Sequence, residues 1–150
     1  MKLENGKNTI KYNSYKYAFE RMKEGINKEF FLEAVMIAES IISDRLVSYL
    51  ELTKKEASLF ELVEKWKKVD GQISWKERTD LIVDLKSWRK ERNTCAHQVV
   101  KSLPGEPTKS VEEFIQIARN CALEGQMLAR YVCDWRNAQK KTGTVESDGS

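Results

Sequence analysis

The chain contains little glycine, proline or histidine, and these shortages exclude several classes of protein. Its 150 residues include seven glycines, two prolines and one histidine. A many-stranded β fold needs turn residues every few positions, so this scarcity argues against one, and it also excludes collagen-like and low-complexity chains. The cysteines, Cys95, Cys121 and Cys133, form no C-x-x-C spacing, and a single histidine makes a four-ligand structural zinc site very improbable. We therefore expect no metal and no other cofactor.

The sequence also lacks a long apolar run and a strong charge imbalance. Its longest unbroken apolar stretch, Ala34 to Ala38, is far shorter than the ~20 residues that span a bilayer. No signal-peptide core follows Met1. Scattered cysteines in odd number are typical of a reducing compartment, so we expect a cytoplasmic protein with no membrane partner. Because the net charge is only +3, a nucleic-acid partner has to be inferred from where the charges lie.

Helical periodicity dominates the sequence. Apolar residues recur at intervals of three and four over 28–51, which predicts an amphipathic helix, and a helix is also indicated for Ser14–Ile26. Three pairs have the spacing of capping boxes and predict further helix starts: Thr53 with Glu56, Ser74 with Glu77, and Ser110 with Glu113. We expect an all-α, up-and-down bundle of four to five helices. Its predicted organisation is a basic, partly helical leader over 1–27, a bundle over 28–139 and a disordered tail over 140–150.

Small and aromatic residues mark the expected core. A stripe of small residues on the last predicted helix favours close helix packing; it consists of Ala118, Ala122, Gly125 and Ala129. The four tryptophans, at 66, 75, 88 and 135, are predicted to anchor the core or an interface. Cys95 is predicted to be a small apolar filler.

The fourth predicted helix carries the most distinctive group of residues, Arg92-Asn93-Thr94-Cys95-Ala96-His97. His97 is the only histidine, and Arg92 falls on the apolar stripe four residues after Trp88, where an apolar side chain is expected. Histidine gives or takes a proton near neutral pH, and arginine presents a charged planar fork to phosphate oxygens. The set suits attack of an RNA 2′-hydroxyl on its own phosphate. The alternative is an ordinary amphipathic helix with a surface arginine and a histidine at the core edge.

The group and the order of helices around it resemble the HEPN superfamily. Arg92 and His97 match the family's R-x(4–6)-H signature, with a polar residue directly after the arginine, and Glu33–Leu46 looks like the family's long second helix. The resemblance covers 28–139. It implies a bundle that dimerises around the motif helix, so that two motifs form one composite site. Many members are metal-independent endoribonucleases in toxin–antitoxin, phage-defence or CRISPR systems.

The resemblance also implies roles for individual residues. Arg92 would contact the phosphate and stabilise the transition state, His97 would transfer the proton, and Asn93 would be the orienting polar group. An acidic residue from an earlier helix often joins the site, and Glu39 and Asp44 are both candidates. Implied partners are an RNA substrate, a second copy of the chain, and an antitoxin or larger defence complex. Two alternatives stay open: a non-catalytic module of the same fold that binds nucleotide, RNA or a protein, and an unrelated helical interaction domain.

Two basic segments offer surfaces for RNA. On the motif helix the candidate RNA-binding residues are Lys86, Arg89 and Lys90, within a segment, 76–101, of local charge +3. The leader over 1–28 has seven basic against three acidic residues, with tyrosines at 12, 15 and 17 between them. Such a composition can follow a phosphate backbone and stack bases. The alternative is a solvated helix whose tyrosines pack on the bundle.

Overall fold

Five helices make up most of the described part of the chain. A computed structural model describes residues 2–53, 57–97 and 110–149, with side chains for 9–53, 57–96 and 110–140. The helices are α1 (Lys2–Asn27), α2 (Phe31–Tyr49), α3 (Leu59–Asp70), α4 (Leu81–His97) and α5 (Val111–Gly149). Within these ranges there is no strand, only an isolated bridge between Trp75 and Arg78. The expectation of an all-α fold is confirmed.

Helix α2 lies at the centre of the bundle. It contacts each of the other four helices, and α5 also packs on α1 and α4. The buried residues of α2 recur at the intervals of three and four seen in the sequence: Phe31, Ala34, Val35, Ala38, Ile41, Ile42, Arg45 and Leu46. Buried apolar side chains from all five helices join in one cluster, so the chain forms a single helix bundle.

Helices α2, α4 and α5 come into close contact at Gly125. A Cβ atom on Gly125 would lie 2.7 Å from Cζ2 of Trp88 and 3.1 Å from Cβ of Ala38. The Trp88 indole is 1% exposed, and its Nε1 donates a hydrogen bond of 2.8 Å to the carbonyl oxygen of Cys121 on α5. The close packing predicted along α5 is therefore confirmed, and it fixes where α4 lies against α5.

Three of the four tryptophans are buried as predicted. Trp66, Trp88 and Trp135 are at most 3% exposed, whereas Trp75 is half-buried in the α3–α4 connection. The rings of Trp66 and Trp135 lie 4.9 Å apart, and Tyr49 meets Trp135 edge-on at 4.6 Å. Cys95 is 1% exposed, so its predicted role as a core filler is confirmed.

The start of α3 differs from the prediction. Thr53 with Glu56 predicted the cap, but α3 begins at Leu59, and the Oγ of Ser58 accepts the hydrogen bond from the backbone N–H of Glu61 at 3.2 Å. Ser58 with Glu61 repeats the same spacing five residues later, so the capping pattern alone could not distinguish the two starts. Residues 54–56 lie outside the described residues.

The start of α4 also differs, whereas that of α5 is confirmed. Ser74 was predicted to cap α4, but a tight turn closed by two hydrogen bonds between Trp75 and Arg78 occupies this segment, and α4 begins at Leu81. The carboxylate of Asp80 caps α4 by accepting a hydrogen bond from the backbone N–H of Ile82 at 3.0 Å. For α5, the Oγ of Ser110 accepts the predicted hydrogen bond from the third residue of the helix at 3.2 Å.

Both terminal helices are longer than the sequence indicates. Helix α1 starts at Lys2 rather than Ser14, and it buries Met22 completely in the common core. Helix α5 continues to Gly149 through the segment expected to be a disordered tail, so the backbone there is helical although no apolar stripe predicts it. Residues 98–109, which include both prolines of the chain, lie outside the described residues. Within the described residues, no helix has the length and apolar character that crossing a bilayer requires.

Candidate functional site

The predicted site contains an ion pair between two helices. Nη2 of Arg92, on α4, donates a hydrogen bond of 2.7 Å to Oε1 of Glu39, on α2. The two side chains are 21% and 26% exposed, so the pair lies at the edge of the core and is partly shielded from solvent. The Nε of Arg92 is buried without a hydrogen-bond partner in the described structure. Arg92 is thus held by one carboxylate, while its planar guanidinium keeps further N–H donors that a phosphate could use.

Of the two acidic candidates, the structure brings Glu39 to Arg92 and places Asp44 elsewhere. Asp44 accepts a hydrogen bond from the hydroxyl of Tyr15, and it pairs with Lys11 at 3.1 Å and with Arg45 at 3.2 Å. Burial alone would raise the pKa of Asp44, but the hydrogen bonds from Tyr15 and Lys11 bring it below its ordinary value. Asp44 is therefore an anchor between α1 and α2.

The other two motif residues follow Arg92 on α4. Asn93 is half-buried. His97 is the last residue of α4, and its side chain lies outside the described residues. Five residues along an α-helix correspond to a rise of about 7.5 Å and a rotation of about 140°, so the positions of Arg92 and His97 are about 1.4 turns apart and on different faces of α4.

The three candidate RNA-binding residues on α4 differ in how they are engaged. Lys86 forms an ion pair of 2.8 Å with Glu64 on α3, and this contact raises the pKa of Lys86. The Arg89 guanidinium stacks over the ring of Phe60 with its Cζ 4.8 Å from the ring centroid. Lys90 is exposed. Only Lys90 thus extends into solvent without a described partner for its ammonium group, and Lys86 and Arg89 also fasten α4 to α3.

One inward-facing charge was missed by the sequence analysis. Arg45 is 8% exposed and is the only charged residue among the described ones that counts as buried. The available signal is the one that singled out Arg92: Arg45 occupies an apolar-stripe position, four residues after Ile41 and three after Ile42. It lies on the side of α2 that faces α1 and α5, away from the Glu39–Arg92 pair.

The described residues contain no group of three or more histidine, cysteine, aspartate or glutamate side chains arranged to hold a metal ion. Comparison of the chain with models of known families, with characterised proteins and with solved structures finds no match.

Proposed function

We propose that the chain is a metal-independent endoribonuclease of the HEPN type, acting in the cytoplasm as a toxin or phage-defence effector. The observation that carries the proposal is the ion pair between Glu39 and Arg92. An acidic residue of the long second helix lies against the arginine of the R-x(4–6)-H motif, as the resemblance implies. Arg92 also lies on an apolar stripe with a buried Nε that has no partner among the described residues, and such an unsatisfied donor costs free energy that a bound phosphate would offset.

The proposed reaction assigns each motif residue a task. The 2′-hydroxyl oxygen of the RNA bonds to the adjacent phosphorus, and the bond from phosphorus to the 5′-oxygen breaks. One His97 accepts the proton of the 2′-hydroxyl, and the second copy's His97 gives a proton to the departing 5′-oxygen. Arg92 stabilises the charge on the pentavalent phosphorus, and Asn93 orients the phosphate or the imidazole. Glu39 acts through Arg92 as a positioning residue, because it holds the guanidinium in one orientation.

This scheme needs a second copy of the chain, since each chain supplies one histidine. The face of α2 that carries Glu39 supports such a contact, because Leu32 and Met36 lie on it at helical spacing and are 40% and 68% exposed. Exposed apolar residues beside a half-buried charge are suited to a two-fold interface that encloses the site. Lys90 provides charge for the RNA backbone, and an antitoxin or a larger defence complex would restrain the activity.

The experiment is cleavage of end-labelled RNA, including a tRNA pool, by purified protein in EDTA. We expect products with 2′,3′-cyclic phosphate ends, and their loss in His97→Ala and Arg92→Ala. Arg119→Ala is the matched control, because Arg119 on α5 also forms an ion pair of 2.7 Å with a glutamate, Glu29, but with side chains that are 38% and 62% exposed, so cleavage should persist. Cleavage that persists in His97→Ala would overturn the proposal. A folded dimer that binds RNA without cutting it would favour the non-catalytic module.

The dimer is tested separately by sedimentation. Met36→Glu should separate the copies and abolish cleavage, because it places a charge on the apolar face beside Glu39. Val69→Glu is the control, since Val69 is 63% exposed on α3. A wild-type chain that sediments as a monomer while cutting RNA would contradict the composite site.

A further inference from the structure

A cavity of about 570 Å³ lies between α1, α2 and α5. Cations predominate in its lining, which includes Lys11, Lys16, Arg45, Arg130 and Lys140 against the carboxylates Glu20 and Asp134. The residues that line it all come from these three helices, so it is separate from Arg92 on α4. The cavity therefore needs an explanation of its own.

Arg45 is the feature that makes this cavity unusual. Its side chain is only 9% exposed, and its Nη2 lies 3.2 Å from Asp44. Its Cζ lies 4.7 Å from the centroid of the Tyr15 ring, so the guanidinium stacks on an aromatic face. Its Nε is buried, and no hydrogen-bond partner for it is found among the described residues. A buried guanidinium with an unsatisfied donor is costly, and an anion beside it would offset that cost.

The neighbouring charges leave the cavity positive. Burial, together with repulsion from Arg45 and Arg136, lowers the pKa of Lys140. Asp134 pairs with Lys76 at 3.2 Å, and Asp44 is shared among Lys11, Tyr15 and Arg45. Of the two lining carboxylates, Asp134 is therefore already paired and Glu20 is exposed to solvent. The lining cations outnumber them, and cations that repel one another across a partly enclosed space attract an anion from solution.

We propose that this cavity binds a small organic phosphate. Its phosphate group would lie on Arg45 and the lining lysines, since arginine and lysine are the side chains that best bind phosphate oxygens. Its organic part would lie on the ring of Tyr12, which lines the cavity and is 67% exposed. The volume is in the range of ligand pockets, and a phosphate ion alone would leave most of it empty.

Alkylation of Cys133 reports on this cavity directly, because Cys133 is one of its lining residues. Burial raises the pKa of the Cys133 thiol to about 11, so labelling is measured at about pH 9, where enough thiolate forms. Cys95 and Cys121 are at most 1% exposed and serve as internal references. The probes are AMP, ATP and ribose 5-phosphate, with adenosine as the ligand that lacks a phosphate. We expect the phosphorylated probes to slow labelling of Cys133 and adenosine to leave it unchanged.

Variants on α1 locate the binding. Lys16→Gln and Tyr12→Ala, both at exposed positions, should each raise the Kd of AMP about fivefold, as expected for loss of one charge-assisted contact or one stacking surface. Lys23→Gln and Tyr17→Ala are matched controls, because these residues are exposed on the same helix but do not line the cavity. Arg45→Gln should remove binding, with circular dichroism as the check on folding.

Several results would overturn the proposal. One is unchanged labelling with every phosphorylated probe, and another is an equal loss of affinity in the control variants. Protection by single-stranded RNA but by none of the mononucleotides would make the cavity part of a groove for a strand. Because labelling requires no RNA cleavage and can be repeated in His97→Ala, failure of this proposal and failure of the proposed ribonuclease are seen separately.

Discussion

Replacing Gly125 by alanine should loosen the three helices that hold the candidate site. The added Cβ would lie 2.7 Å from Cζ2 and 3.0 Å from Cε2 of Trp88, and 3.1 Å from the Cβ of Ala38. Neither neighbour can easily withdraw, because Trp88 is 1% exposed and Ala38 is completely buried. The indole is also fastened to α5 by its hydrogen bond to Cys121. The substitution must therefore shift a helix or strain the core.

The magnitude follows from three contributions. Overpacking of this kind costs about 2 kcal/mol. Weakening the buried indole hydrogen bond costs about 1 kcal/mol more. Alanine is favoured over glycine inside a helix by about 1 kcal/mol, which opposes these costs. The expected net loss is about 2 kcal/mol of unfolding free energy, which corresponds to a fall in Tm of roughly 4–8 °C for a chain of this length.

Thermal unfolding followed by circular dichroism measures this loss, with Gly25→Ala as the matched control. A Cβ on Gly25 would meet the carbonyl oxygen of Phe30 at 3.4 Å, the Cβ of Ala34 at 3.7 Å and the backbone nitrogen of Ala34 at 3.9 Å, which are ordinary contacts. Gly25→Ala should thus keep or raise the Tm. A Gly125→Ala chain as stable as the wild type would refute the close approach. Below 20 °C the Gly125→Ala chain should stay folded, but its RNA cleavage should still be slower than that of the wild type. The reason is that Glu39 directly follows Ala38 and Arg92 lies one turn after Trp88.

Three further predictions test single interactions. Glu39→Gln should lower the unfolding free energy by about 1 kcal/mol, as expected for a partly shielded ion pair. It should also reduce RNA cleavage more than RNA binding, which separate cleavage and gel-shift assays would show. Ser58→Ala should cost about 1 kcal/mol in urea unfolding by removing the cap of α3, whereas Thr53→Ala should change it by less than about 0.5 kcal/mol; equal effects would contradict the assigned start. Alkylation of Cys133 should accelerate about tenfold per pH unit up to about pH 11, where it should level off, and a plateau near pH 9 would contradict the effect of burial.

The helix bundle could be predicted from the sequence because the spacing of apolar and small residues within each helix determines which of its faces is buried. The apolar intervals of α2 and the small residues of α5 fix which faces are buried, and both were found buried as expected. Helix starts were harder to predict, because the capping pattern, a serine or threonine followed three residues later by glutamate, occurs at both Thr53 and Ser58. The choice between Ser74 and Asp80 depended on the turn from Trp75 to Arg78, in which Lys76 has a φ of 53°, and nothing in the local sequence requires that turn.

The acidic partner of Arg92 could not be chosen from the sequence, since it depends on the register between α2 and α4. Glu39 and Asp44 lie at similar borders of the α2 stripe, about 7.5 Å apart along the axis. The register is set by Ala38 and Trp88 meeting at Gly125, a contact between residues far apart in the chain. Because that contact places Glu39 level with Arg92, Asp44 is left to pair with α1.

The two inward-facing arginines show how one sequence signal leads to two different sites. Arg92 and Arg45 each replace an apolar residue on a helix stripe, and each has a buried Nε without a described partner. Arg92 has a glutamate from another helix at 2.7 Å, so its charge is balanced within the fold. Arg45 shares Asp44 with Lys11 and Tyr15 in a cavity where cations predominate, so its charge is not balanced there. Arg92, whose charge is balanced, is suited to a substrate that is bound and released. Arg45, whose charge is not balanced, is suited to an anionic ligand that also stabilises the fold. Organic phosphates should therefore raise the Tm of the wild type more than that of Lys16→Gln.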